Sequence, residues 1–290
     1  MKEMGKTFAR VVSFALLATT VSLGLAACIG ETGSKRFAFE GAIGGLASNN
    51  ERFVNQRGWS IQLSKATMTL GPVYLNVVPA LRAQWNPLRL AIKSAWAAGE
   101  GHLGEGRIAG ELLGQASFDA LSPSLAAFPV KGSMTQEEIR TTEIWFYPEP
   151  GVSAETNKIK SVALDLAGDA SREGEVVKFR GSLLLDDAWL SANAGQRGAQ
   201  SISEIRRIRG IDSKFYPTEG GSLEIRVDLQ NVLRGADFST LVNHPSEPDG
   251  AKLLVQGKDG KTDPVMTNLY QGLRDSLGTY RVRWNDAASP

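Results

Sequence analysis

Few side chains in this sequence have the types and spacing that metal or nucleophilic chemistry needs. The 290 residues include two histidines, His102 and His244, and one cysteine, Cys28. A zinc or copper site takes three or four converging ligands drawn from His, Cys and carboxylate. His102 would therefore have to recruit Glu100 or Glu105, with His244 or Asp249 arriving from far along the chain. Two solvated loop histidines account for the same residues without that assembly. Nucleophilic hydrolysis lacks a Gly-x-Ser-x-Gly elbow and has hardly a histidine to act as base. Asp186 and Asp187 are adjacent, so an extended chain points them to opposite faces and separates them for paired-carboxylate work. The run Asp259-Gly260-Lys261-Thr262-Asp263 lacks the ligand density of a calcium loop and fits a turn leading into a helix. No phosphate-binding glycine motif is present. The expectation is a protein that is not an enzyme and carries no cofactor.

The cysteine has a different use. Lys2, Lys6 and Arg10 precede an apolar run over 11–25, which ends in Leu25-Ala26-Ala27-Cys28. A basic start, a short apolar stretch and small residues before a cut are the parts of a secretion signal. The run is too short for a membrane span and is interrupted by Ser13, Thr19, Thr20 and Ser22. The tetrad resembles a bacterial lipobox, which implies cleavage between Ala27 and Cys28 and acylation (palmitate among the chains) of the new N-terminal cysteine. Two or three acyl chains hold a protein stably where one is marginal. By the same resemblance to Gram-negative lipoproteins, Ile29, standing where an inner-membrane retention signal has Asp, implies the outer membrane. The expected organisation is a signal peptide at 1–27, an acylated cysteine and tether at 28–36, and one β-rich domain over 37–290.

Composition supports a folded domain with a sizeable core: 42% of residues are hydrophobic, 22% are charged and the net charge is +1. A near-neutral chain lacks the basic footprint that binds the phosphate backbone, so nucleic acid is not expected as a partner. Period-two alternation predicts strands over 37–43, 59–70, 73–77, 108–118, 139–147, 162–166, 177–185, 223–229, 253–256 and 280–284. Ser171-Arg172-Glu173-Gly174 has the composition of a hairpin turn. Nine or ten short strands with few helical patterns predict an all-β fold, a mainly antiparallel sandwich or barrel-like sheet, with one or two short peripheral helices. One helix starts at Asp263-Pro264, with Asp263 as N-cap and Leu269, Leu273 and Leu277 on one side, and runs to Gly278. A second begins at Asn86-Pro87, and 186–200 reads as a long loop.

That second helix lies in a basic, Trp-containing insertion over 79–98, with Arg82, Arg89, Lys93, Trp85 and Trp96 and no acidic residue. Leu88, Ile92 and Trp96 share one side of the helix, flanked by Arg89 and Lys93. The stripe either packs on the domain's own core with its bases in water or docks on the envelope surface or an envelope receptor or transporter. Ile205-Arg206-Arg207-Ile208-Arg209 is a second basic run. Its expected role is to protect an edge strand from edge-to-edge pairing, in preference to binding an anionic polysaccharide or lipid head group.

Gly58-Trp59-Ser60-Ile61-Gln62-Leu63, with Gly71-Pro72-Val73-Tyr74-Leu75 and the ending Gly278, Tyr280, Val282 and Trp284, resembles a group of poorly characterised proteobacterial envelope lipoproteins. The resemblance implies a fold more than a chemistry. Some members carry a His-rich tract that suggests a metal ion. Here the corresponding stretch holds His102 with Glu105, which makes metal binding through these residues, with His244, the alternative to a lipid-anchored accessory or binding protein.

Overall fold

The computed structural model describes residues 35–78, 107–146, 162–185, 202–255 and 262–287. The first strand, β1 (Arg36–Gly45), shows how the alternation is used: Phe37 and Phe39 turn into the core between exposed Arg36, Ala38 and Glu40, and Ile43 continues the buried face. Gly132 lies across from Phe39 because a Cβ there would fall 2.2 Å from the Phe39 ring. Further strands are β2 (Phe53–Val54), β3 (Ser60–Leu70), β4 (Val73–Asn76), β5 (Ile108–Leu112), β6 (Ala116–Asp119), β7 (Ala126–Ala127) and β8 (Gly132–Thr135). They continue as β9 (Ile139–Trp145), β10 (Val162–Arg172), β11 (Glu175–Leu184), β12 (Arg207–Phe215), β13 (Ser222–Val227), β14 (Lys252–Leu253) and β15 (Tyr280–Asn285). The helices are short: α1 (Ile202–Arg206), α2 (Leu229–Val232) and α3 (Pro264–Leu273). The all-β expectation holds.

The strands form two sheets. The first runs β12-β9-β4-β5-β8-β1-β13-β15, with β7 added on β1, and the second runs β14-β11-β10-β3-β2, with β6 added on β3. Pairing is antiparallel except for β1 with β13 and β11 with β14. The two ends of the first sheet, β12 and β15, pack against each other, so that sheet nearly closes into a barrel. Phe215 stacks on Trp284 across this seam, with ring centroids 5.9 Å apart and planes 15° from parallel. Phe39 and Phe37 meet the same indole edge-on at 5.6 and 6.4 Å. Aromatic pairs of this kind add to the area they bury.

Several sequence expectations shift in detail. The run over 108–118 is two strands in different sheets, because the chain breaks at 113–115 and passes from β5 in the first to β6 in the second. The alternation at 223–229 stops at Asp228, whose carboxylate accepts from Asn231 N at 3.1 Å and caps α2, so Leu229 is helical. The β10–β11 hairpin turns at Glu173 and Gly174 as expected, both with positive φ, the conformation that a two-residue turn of this hand requires. Helix α3 begins at Pro264 but ends a turn early. Thr279 Oγ1 donates to Gly272 O at 2.8 Å and Tyr280 OH to Leu273 O at 2.8 Å, which caps the last carbonyls and leaves Leu277 77% exposed. The candidate helix from Asn86 and the loop over 186–200 lie outside the described residues.

Two buried asparagines tie the layers together. Asn49 Nδ2 donates to Ala120 O and to Val227 O, both at 2.8 Å, and its Oδ1 accepts from Leu229 N at 2.9 Å. Asn55 donates to Leu233 O and Ala236 O and accepts from Arg57 N and Trp59 N. Each side chain satisfies backbone groups of segments that no ladder joins, where a lost partner strands a buried polar atom. Asn49→Ala removes three buried hydrogen bonds, leaving Leu229 N and Ala120 O without the Asn49 partner and Val227 O with only the Leu46 N donor, and is expected to cost about 3 kcal/mol. The check is a lower urea midpoint at an unchanged slope.

Candidate functional site

Strand geometry decides which polar side chains meet. On β9, Glu143 and Trp145 are two apart and so share the face opposite Ile144. The register puts Arg207 directly across from Trp145. Trp145 is 1% exposed, and its Nε1 donates to Glu143 Oε1 at 2.8 Å. Arg207 Nη1 stands 3.7 Å from that oxygen, with its guanidinium 5.5 Å from the Trp145 ring centroid, and Arg209 Nε stands 3.8 Å from Glu143 Oε2. Arg207 Nε is buried without a hydrogen-bond partner. The basic run therefore has a different role from the one its sequence suggested. Ile205 and Arg206 belong to α1, and Arg206 Nε donates to Leu185 O at 2.6 Å. Arg207 opens β12, which does lie at an end of the first sheet, but its side chain is only 13% exposed and its charge is spent on Glu143 and Trp145.

A second tryptophan is held in the same way at the far side of the second sheet. Trp59 Nε1 donates to Asp237 Oδ1 at 3.2 Å, and the Arg172 guanidinium lies 4.4 Å from the ring centroid. Arg172 Nη2 donates to Ser239 Oγ at 2.9 Å, and that hydroxyl donates to Asp237 Oδ1 at 2.6 Å. The Ser239 hydroxyl bond, aided by the Ser239 amide, the Trp59 indole and the nearby Arg172 charge, holds the Asp237 carboxyl below its usual range despite partial burial. Phe238 meets the Trp59 ring edge-on and packs on Phe179. A guanidinium over an indole is worth about 0.5–2 kcal/mol, according to how far it is desolvated.

A third carboxylate, the buried Glu224 on β13, is held by arginine and amide donors. Burial pushes its carboxyl up, but hydrogen bonds from Arg283, Arg226 and Asn285 outweigh that and bring it from 4.5 to about 2. Arg226 Nε donates at 2.8 Å and Asn285 Nδ2 at 3.0 Å, while Arg226 Nη1 also donates to Gly45 O at 3.1 Å. A carboxyl so held stays ionised at neutral pH and has no proton to give, so it acts as an ion-pair acceptor joining β13 to β15.

His244 is placed and its partner is identified. It follows the 3-10 turn Ser239–Asn243, and its Nε2 stands 3.4 Å from Asp263 Oδ1. Asp263 Oδ2 accepts from Val255 N at 2.7 Å. The expected N-cap bond is absent, since Asp263 makes no side-chain cap hydrogen bond to α3 and only its backbone carbonyl receives Met266 N and Thr267 N. Asp249, the carboxylate considered for a shared site, accepts from Arg180 Nη1 at 2.6 Å. Among the described residues no group of three or more His, Cys, Asp or Glu could hold a metal ion. His102, Glu105, Ala27, Cys28 and the stripe of Trp85, Leu88, Arg89, Ile92, Lys93 and Trp96 lie outside the described residues. The chain on either side of that stripe is fixed: Thr141 Oγ1 donates to Val78 O at 2.9 Å, and Val77 N donates to Arg107 O at 3.2 Å.

Two sequence signals could have pointed to these clusters, the Glu143-x-Trp145 spacing and the Arg run. Only the cross-strand register joins them. The sharpest consequence is for acid stability. Because the folded value of Glu224 lies below the unfolded one, its contribution is full above about pH 4.5 and is lost as pH falls toward 2. Between about pH 6 and about pH 3 it should account for about 2 kcal/mol of lost stability. Urea unfolding of Glu224→Gln is expected to show a lower midpoint at pH 6 and a flatter pH profile than wild type. No protein-family model and no curated protein matches the chain. Among solved structures it is similar to MbnP from Methylosinus trichosporium, at 10% identity over 89% of this chain and 100% of that one, with a TM-score of 0.25.

Proposed function

We propose that the chain is a lipid-anchored cell-envelope accessory or binding protein without catalytic activity, held in the outer membrane of a Gram-negative bacterium through acyl chains on Cys28. The observation that carries this reading is the N-terminal sequence, in which Lys2, Lys6 and Arg10, the apolar run and Leu25-Ala26-Ala27-Cys28 occur in the order that export and acylation require. The use of the charges in the β-domain is in keeping with it. Glu143 and Asp237 spend their carboxylates on tryptophan and arginine partners, and Glu224 spends its on Arg226, Arg283 and Asn285, so these charges knit the sheets and make the β-domain a scaffold that presents surfaces. The partner is an envelope receptor or transporter met by the stripe of Trp85, Leu88, Arg89, Ile92, Lys93 and Trp96, with the bilayer engaged by the acyl chains.

Replacement of Cys28 tests the anchor. Cys28→Ala is expected to move the protein from the membrane pellet to the soluble fraction after cell lysis, while a folded β-domain is retained by circular dichroism. Unchanged sedimentation with membranes would contradict it. For the stripe, Trp85→Ala with Trp96→Ala is expected to abolish cross-linking to the envelope partner at unchanged thermal stability. A large fall in stability would assign those rings to the core instead.

A further inference from the structure

The strands at the two ends of the first sheet meet without pairing. β12 packs against β15, yet among the described residues no backbone hydrogen bond crosses between them. Each end strand is laddered on one side, β12 to β9 and β15 to β13. In an antiparallel pair, alternate residues turn their N–H and C=O toward the partner strand and the others turn theirs away. Every second residue of β15 therefore aims its backbone donor and acceptor at the seam. The pairing of β15 with β13 runs from Tyr280 to Asn285 without a register shift, so this edge is regular, whereas β12 shifts register twice.

Strand direction decides what could fill the seam. From β12 to β15 the sheet takes six antiparallel steps and one parallel step, so both end strands point the same way. One strand running the other way between them would pair antiparallel with both, the slightly more stable kind of ladder. The core is also thinly covered here. Leu223, Ile225 and Val227 on β13 are at most 1% exposed, while Val282 and Trp284 on β15 and Phe215 on β12 are only partly buried. The stack of Phe215 on Trp284 is what bridges the two edges.

The outer side of the seam is basic. Arg281 and Arg283 are 67% and 64% exposed on β15, and Lys214 is exposed on β12. Arg283 shares the Glu224 carboxylate with Arg226, so two guanidiniums answer to one carboxylate, and Arg281 stands 3.6 Å from Asp228. Asp212 is the one acid on β12.

We propose that the seam between β12 and β15 is a β-augmentation site for an extended peptide segment of a partner protein, with apolar and acidic side chains in alternation. The segment runs antiparallel to both edges. Its apolar side chains cover Val282, Trp284 and Phe215, and its acidic ones meet Arg281, Arg283 and Lys214. Main-chain hydrogen bonds to an open edge give such a complex its affinity, and the alternate side chains give it selectivity. Entry of the segment parts the Phe215–Trp284 stack. The site does not depend on the acylation of Cys28.

The test titrates the full-length protein in detergent into a fluorescent peptide of alternating valine and glutamate, as long as β15 (6 residues), and reads anisotropy. Saturable binding tighter than about 1 mM is expected, weakened at least about tenfold when lysine replaces glutamate or when either alternate set of amides is N-methylated. Lys214→Glu, an exposed change outside the ion pairs above, is expected to weaken the glutamate peptide several-fold and to favour the lysine one. Hydrogen exchange over residues 280–285 should slow when the glutamate peptide is added. The proposal is overturned by no saturable binding, by equal binding of the lysine or N-methylated peptides, by indifference to Lys214→Glu, or by protection that falls on β2 or β14 instead. Slow exchange over 280–285 before any peptide is added also overturns it, because the seam would then be paired already.

Discussion

The parallel pairing of β1 with β13 is the constraint on which the rest of the molecule depends. It runs from Glu40 with Ser222 to Gly45 with Val227, and without it the first sheet falls into two pieces, with β13 and β15 detached from the other strands. The β12–β15 seam, the Phe215–Trp284 stack and the Glu224 ion pairs form only once that ladder has brought the C-terminal strands beside the first one. Asn49 closes the same junction, bonding to Val227 across 178 residues of sequence. Contacts of such separation are slow to form, because loop closure comes before any reward. The barrel is therefore the last part expected to fold, and the local β10–β11 hairpin the first.

How far the sequence reveals the structure follows from the range of each interaction. Period-two patterns at Phe37 and Phe39, at Ile61 and Leu63 and at Leu223 and Ile225 placed the main strands, because burial of alternate side chains is local information. The turn at Glu173 and Gly174 and the start of α3 at Pro264 were legible for the same reason. Strand β12 was legible only as an edge strand under the basic run, without its bounds, since charged residues break its apolar alternation and α1 consumes the first two residues of that run. The passage of the chain from β5 to β6 also left no signal, since a strand that changes sheets keeps its alternation on both sides of the break. The Trp145–Glu143–Arg207 and Trp59–Asp237–Arg172 groups were invisible as groups, although their members stood out singly as tryptophans and charges. Register across 60 or more residues is decided by tertiary packing, which no window of sequence contains.

The charged clusters belong to one physical picture. A sheet whose carboxylates Glu143 and Glu224 are held by guanidinium, indole N–H or amide donors is tied across its strands, and hydrogen bonds bring the Glu224 carboxyl down to about 2. Such groups stabilise and orient the strands that carry them.

The account stands or falls on the chemistry of Cys28, and the direct measurement is the mass of the N-terminal peptide of the protein extracted from membranes. An N-terminus at Cys28 bearing acyl chains, with residues 1–27 absent, is the result expected. An N-terminus elsewhere, with an unmodified Cys28 thiol or none, would contradict the anchor.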